Sequence, residues 1–153
     1  MEETALVLVD RVRNNIQLGE SHIREFKSAF EGLPQNKKPR PLKELLREIG
    51  EQLVCFANAD GGDLLIGVED NGDITGLPHD EEAVQALLSA PKSHVFPGQV
   101  LPLSYAVSVD LNGKRVLFFS VSKGSCELSA SVRTGRCFCR TEVIASGPPI
   151  PGE

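Results

Sequence analysis

The chain has 153 residues, a net charge of −5 and few aromatic side chains, with no Trp and one Tyr. This length fits one domain with a mainly aliphatic core. The negative charge argues against indiscriminate coating of nucleic acid, although it leaves room for a local basic surface. No apolar run approaches the roughly 18 residues of a membrane span, and the acidic start predicts no secretory signal. We therefore expect a cytoplasmic protein, or a nuclear one if the source is eukaryotic.

The first half of the chain predicts two amphipathic helices and two strands. Apolar residues at helical spacing predict a helix over 4–16. A short strand at 23–26 precedes 29–41, whose prolines and basic residues predict a loop. A proline at the preceding position suits the start of a helix over Leu42–Asn58. Nearly continuous apolar sequence over 63–68 predicts a central strand that is covered on both faces.

The second half predicts a β-hairpin and one further helix. An Asn-Gly pair at 112–113 lies between alternating apolar runs and predicts a hairpin of strands Leu103–Leu111 and 114–122. Asp80 is placed to cap a helix over Glu81–Leu88. The remaining predicted features are an acidic turn at 70–73, a short strand at 74–77, an irregular connection at 89–101, and edge strands at 132–133 and 137–143. We expect a single α/β (α+β) domain over 1–145, with about three helices on a mixed, largely antiparallel sheet, followed by a Pro- and Gly-rich tail or linker at 146–153.

Acidic residues from two separate segments form the candidate site. Glu20 and Glu25 lie around the first strand, and Glu69 and Asp70 end the apolar run of the central strand. Carboxylates that a fold brings together repel one another unless a divalent cation or basic side chains lie between them. By the two-residue alternation of a strand, Lys27 lies on the same face as Glu25. The plainer interpretation makes Glu20 a solvated loop acid and Asp70 a turn former.

Two basic clusters are candidates for contact with nucleic acid. They comprise Lys37, Lys38, Arg40 and Lys43 after the first strand, and Arg133 and Arg136 near the end of the chain. Such clusters are usually solvated surface. Because the first cluster is close in sequence to Glu20 and Glu25, contact with phosphate is an alternative of equal weight for it. Because few aromatic side chains are free for stacking, recognition of backbone and shape is favoured over base reading.

Three blocks of sequence resemble the Schlafen family and the bacterial proteins that share its AlbA-type domain. ESHIREFK at 20–27 is similar to the family's opening block, with its Glu-Ser pair and later Glu-Phe-Lys. CFANADGGDLLIGVEDNGDITG at 55–76 is similar to its signature of Phe-Ala-Asn, Gly-Gly, Leu-Ile-Gly-Val and an acidic turn. SVRTGR at 131–136 is similar to an Arg-containing strand near the end of the domain. The resemblance implies a Schlafen/AlbA-type nucleic-acid-binding lobe.

The resemblance to the Schlafens that cut RNA also implies an activity. It makes Glu20, Glu25 and Asp70 the catalytic acids and the ligands of Mg²⁺ or Mn²⁺. Lys27 would then steady the charge of the phosphate. The implied function is a metal-dependent endoribonuclease that cleaves phosphodiester bonds in structured or tRNA-like RNA. Because the cutting Schlafens use two such lobes, we expect a homodimer or a heterodimer with a second Schlafen-like lobe.

Zinc and two other functions stay open as alternatives. The cutting Schlafens carry a structural zinc site, whose counterparts here would be His94, Cys126, Cys137 and Cys139. Their spacing does not reproduce that site cleanly, and a Cys-x-Cys pair is more often packing than a metal site, so packing is the favoured interpretation. The other functions are a non-catalytic DNA- or RNA-binding regulatory module, and a partner subunit that completes a two-lobe nuclease.

Overall fold

The fold consists of one main sheet with helices on both of its faces. A computed structural model describes residues 2–93 and 101–124, with side chains from residue 6 onward. The elements are, in chain order, helix α1 (Glu2–Leu18), strands β1 (Arg24–Lys27), β2 (Phe30–Glu31) and β3 (Lys38–Pro39), helix α2 (Leu42–Asn58), strand β4 (Gly62–Ile66), helices α3 (Glu81–Leu88) and α4 (Ala90–Ser93), and strands β5 (Leu103–Leu111) and β6 (Lys114–Val121). The edge strands predicted at 132–133 and 137–143 and the tail at 146–153 lie outside the described residues. Within the described ranges, no helix has the length and apolarity to cross a bilayer.

The main sheet is mixed, as the sequence predicted. Its strand order is β1-β4-β6-β5, and β2 and β3 form a separate small hairpin. Strand β1 runs parallel to β4, with Phe26 opposite Leu65. Strand β6 runs antiparallel to both of its neighbours, and Leu65 faces Phe118 across the β4–β6 pair. The carboxyl ends of β1 and β4 therefore meet the start of β6 at one edge of the sheet.

Strand β4 is buried on both faces, which confirms the interpretation of its continuous apolar sequence. Leu64 and Ile66 pack into a cluster with the apolar residues of α2, α3 and α4. Leu65 points to the other face and packs with Phe26, Phe118 and Val12, the last of which comes from α1. The helices thus form a layer on each face of the sheet.

The predicted helix cap and hairpin are confirmed in detail. The Asp80 carboxylate accepts a hydrogen bond of 2.8 Å from the backbone N–H of Ala83, in the first turn of α3. Asn112 and Gly113 join β5 to β6 with φ angles of 54° and 81°. A two-residue turn of this kind needs positive φ at both positions, which Asn and Gly adopt at low cost.

Three segments differ from the prediction. The loop expected at 29–41 contains the β2–β3 hairpin. Its short edge strand accommodates Pro39, because an edge position does not require the backbone N–H that proline lacks. The segment 74–77 forms only one bridge, between Val68 and Ile74. Both Thr75 and Gly76 donate their backbone N–H to the carbonyl of Gly67, so two residues oppose one, as in a β-bulge, and no regular ladder forms. The connection at 89–101 includes the one-turn helix α4.

A buried polar network attaches α1 to the sheet. Asp63, at the start of β4, has a side chain that is 15% exposed. Its carboxylate accepts hydrogen bonds from the Arg11 guanidinium at 3.2 Å, the Asn15 amide at 3.0 Å and the Ser120 hydroxyl at 2.7 Å. Together the three donors satisfy the hydrogen-bonding capacity of a carboxylate that would otherwise be costly to bury.

Candidate functional site

Glu20 lies along the free edge of β1. The carbonyls of Ile23 and Lys27 accept hydrogen bonds from Asp63 of β4 and from Gly67, the residue after β4. The backbone groups of Phe26 alternate with these carbonyls and therefore point away from β4. The Glu20 carboxylate accepts the N–H of Phe26 at 3.0 Å. Its first observed role is thus to cap an exposed strand edge, which also hinders unwanted strand pairing.

Glu25 and Lys27 lie on the face of β1 that is turned toward α2. Lys27 Nζ lies 3.8 Å from a Glu25 carboxylate oxygen and 3.7 Å from one of Glu48, in α2. All three side chains are largely shielded from solvent. The sequence placed Lys27 beside Glu25 by strand alternation, but it gave no sign that Glu48 would share the same ammonium.

Glu69, rather than Asp70, faces the end of β1. Asp70 is exposed in the turn. The Glu69 carboxylate accepts a hydrogen bond of 2.7 Å from the Thr75 hydroxyl and lies 4.0 Å from Lys37 Nζ. Burial would raise the pKa of Glu69, but hydrogen bonds from Ser28 and Thr75 and the charge of Lys37 outweigh it and hold the pKa below its ordinary value.

The predicted metal ligands are dispersed around this edge of the sheet. Glu20 is bonded to the strand edge, Glu25 faces α2, and Asp70 lies in the turn after β4. Across 2–93 and 101–124, no three His, Cys, Asp or Glu side chains are grouped so that they could hold a metal ion. Binding of Mg²⁺ or Mn²⁺ by Glu20, Glu25 and Asp70 therefore stays a prediction.

The first basic cluster divides into engaged and solvent-facing cations. The Arg40 guanidinium bonds to Glu44 at 2.8 Å and to Glu48 at 2.7 Å, and its side chain is 15% exposed. Burial would lower the pKa of Arg40, but the hydrogen bonds and charges of Glu48 and Glu44 outweigh it and raise the pKa. Lys38 and Lys43 are exposed. Arg40 therefore joins the β3 segment to α2, while the two lysines are accessible to a phosphate.

The predicted sites near the end of the chain lie outside the described residues. These are Arg133 and Arg136 of the second basic cluster, and His94, Cys126, Cys137 and Cys139 of the zinc interpretation. The remaining cysteine, Cys55, is buried in α2.

A second cationic region, which the sequence prediction missed, lies at the same edge of the sheet. Lys114 and Arg115 begin β6, and the carbonyl of Arg115 accepts the N–H of Leu77 at 3.0 Å. The Arg115 guanidinium pairs with Glu81 at 2.8 Å, and this hydrogen bond, with a second from Gln85, lowers the pKa of Glu81. The Asn-Gly turn placed both cations beside a hairpin tip. The folded chain brings that tip next to the segment 75–77, whose Thr75 hydroxyl bonds to Glu69.

The chain resembles solved structures in fold and matches one family in sequence. The DIP2311 protein from Corynebacterium diphtheriae superposes with a TM-score of 0.59 at 20% identity, covering 86% of this chain but only 28% of that protein. The N-terminal domain of a RecG-related protein from Nitrosomonas europaea gives a TM-score of 0.53 at 20% identity, covering 84% of this chain and 82% of that domain. At such identities the likeness shows the fold alone, and no curated protein matches the chain. The model of the family described as Schlafen, AlbA_2 matches residues 20–143, most of the chain, which therefore belongs to that Schlafen family.

Proposed function

We propose that this chain is a nucleic-acid-binding lobe that contacts the sugar–phosphate backbone of RNA or DNA. The observation that carries the proposal is the accessible pair of cations, Lys38 and Lys43, on the segment whose neighbouring cations Lys37 and Arg40 are paired with Glu69 and Glu48. Cations that neutralise phosphates release counterions, so such a surface binds nucleic acid even on a protein of negative net charge. The family membership and the RecG-related name of one structural neighbour support the same class of ligand.

The test is the salt dependence of binding to an RNA hairpin and a DNA duplex of equal length. The K38Q/K43Q variant removes two cations, and the slope of log K against log salt should become shallower by about 0.7 to 0.9 for each phosphate that the variant no longer neutralises. Fluorescence anisotropy between roughly 50 and 200 mM salt measures the slope. K92Q/K123Q removes two other exposed lysines and serves as the charge-matched control. Equal slopes for the two double variants, or wild-type binding that ignores salt, would contradict the proposal.

The more specific candidate is a metal-dependent endoribonuclease for structured or tRNA-like RNA. The observation that favours it is the position of the Glu20 carboxylate, which is fixed against β1 at the residue next to Glu25. Carboxylate oxygens are the ligands that Mg²⁺ and Mn²⁺ prefer, so Glu20 and Glu25, with Asp70, would hold the ion. Such an ion would polarise the scissile phosphate, while Lys27 would orient that phosphate. A complete groove would require a second lobe, from another copy or a partner chain.

Paired substitutions separate the catalytic role of Glu20 from its structural one. In E20Q, the amide oxygen can still accept the N–H of Phe26, but the negative charge is lost; E20A loses both. If Glu20 binds the metal ion, both variants and E25Q should lose cleavage of an RNA hairpin by at least about 100-fold, the upper end of the loss for an outer-shell partner. Thermal unfolding should place E20Q near wild type and E20A below it, since only alanine removes the cap.

Two outcomes would count against the nuclease. Wild-type activity in E20Q, together with destabilised E20A, would leave Glu20 as a strand cap only. Failure of wild type to cut RNA with either Mg²⁺ or Mn²⁺, while salt-dependent binding persists, would leave a non-catalytic binding module.

A further inference from the structure

We propose that the cleft beside the β5–β6 hairpin is a second phosphate-binding subsite, in which Lys114 and Arg115 contact the backbone of a bound nucleic acid strand. The inference rests on the proposed binding function and extends it to residues outside both basic clusters of the sequence. The cleft has a volume of about 330 Å³, and its lining includes Thr75, Gly76, His79, Glu81, Lys114 and Arg115. This volume lies at the lower end of the range for ligand pockets.

The location of the cleft connects it to the first cationic region. Its wall residue Thr75 donates its hydroxyl to Glu69, whose other oxygen faces Lys37. The cleft and the β2–β3 hairpin therefore lie on either side of Glu69. A strand that contacts Lys38 can continue across this edge of the sheet and place a later phosphate in the cleft.

Lys114 supplies the accessible charge of the cleft. Its side chain is exposed, and no carboxylate within the described ranges lies within 4.0 Å of its ammonium. A Cβ atom at Gly76 would lie 3.1 Å from Cβ of Lys114, so the absence of a side chain at Gly76 lets the two segments approach closely. His79 adds no free donor, because one ring nitrogen bonds to the Arg40 carbonyl and the other is buried.

Arg115 is paired with an exposed acid that a phosphate can displace. Glu81 lies 2.8 Å from its guanidinium, and the Glu81 side chain is 65% exposed. Exposed ion pairs are weak, so an incoming phosphate can compete for the guanidinium, which presents a fork suited to phosphate oxygens. Removal of Glu81 should therefore strengthen binding, an effect that a structural role for this ion pair would not produce.

The experiment measures salt-dependent binding of a single-stranded oligonucleotide long enough to span both regions. K114Q should make the slope shallower by about 0.7, the single-strand value for one contact, and weaken binding about fivefold at 0.1 M salt. E81Q should bind more tightly than wild type. K123Q is the matched control, because Lys123 lies beyond the opposite end of β6 and should leave the slope unchanged.

The results distinguish this subsite from the proposed function as a whole. If wild type binds with a salt-dependent affinity but K114Q behaves like K123Q, the proposed subsite is contradicted while the binding function stands. If wild type binds neither this oligonucleotide nor the RNA hairpin and DNA duplex, the binding function fails. Amide NMR shifts on addition of pyrophosphate then decide whether the cleft binds anions. Shifts at Gly76 and Gly113 that K114Q abolishes would support an anion site, and their absence would overturn it.

Discussion

At the scale of single residues, neighbouring acids have different environments. Glu69 is held by Ser28, Thr75 and Lys37, whereas Asp70 is exposed one position later. Because folding lowers the pKa of Glu69, its charge stabilises the fold above the unfolded-state pKa, and this contribution disappears as the pH falls through the lower, folded-state pKa.

The E69Q variant tests this linkage. Its amide keeps the size and an acceptor oxygen of the side chain but not the charge, so we expect the variant to be less stable than wild type at neutral pH. The difference in free energy of unfolding should shrink as the pH falls below about 4.5, where the unfolded-state carboxyl is protonated. Urea denaturation between about pH 7 and pH 3 measures it. D70N is the matched control in the same turn, and a difference between E69Q and wild type that is independent of pH would contradict the assignment.

At the scale of elements, the connection between α1 and β4 depends on one acid. The D63A variant leaves Arg11, Asn15 and Ser120 without their shared acceptor. We expect a loss of about 1 to 3 kcal/mol in the free energy of unfolding, the usual cost of leaving buried polar groups unsatisfied. Chemical denaturation provides the measurement, and D60A, at a site that is 59% exposed, should stay within about 0.5 kcal/mol of wild type. Equal stability of the two variants would show that the Asp63 carboxylate does not contribute to the attachment of α1.

At the scale of the whole molecule, the accessible positive charge is local, although the net charge is negative. The chain carries a net charge of −5, yet its accessible cations Lys38 and Lys114 lie at the same end of the sheet. Helix α1 precedes the matched range of 20–143 but packs into the core through Val12. The chain corresponds to 28% of the length of the C. diphtheriae protein that it resembles in fold.

The sequence predicted the elements whose signals are local. Helical periodicity, the Asp80 cap, the Asn112-Gly113 turn and the apolar run of β4 each act within a few residues, and all were confirmed. The three blocks of the Schlafen resemblance are also local, and the family match confirmed the membership they implied. The β2–β3 hairpin escaped prediction because two-residue strands carry almost no periodic signal.

The chain alone thus determined the family, the main helices and strands, and which residues carry charge. Only the tertiary structure decided which charges meet: it placed Glu48 against Lys27 and Arg40, Glu69 against Lys37, and Lys114 across the sheet edge from the basic hairpin. The physical reason is that ion pairs form over a few ångströms of space, whereas these partners are separated by many residues of chain and are brought together by strand pairing and helix packing.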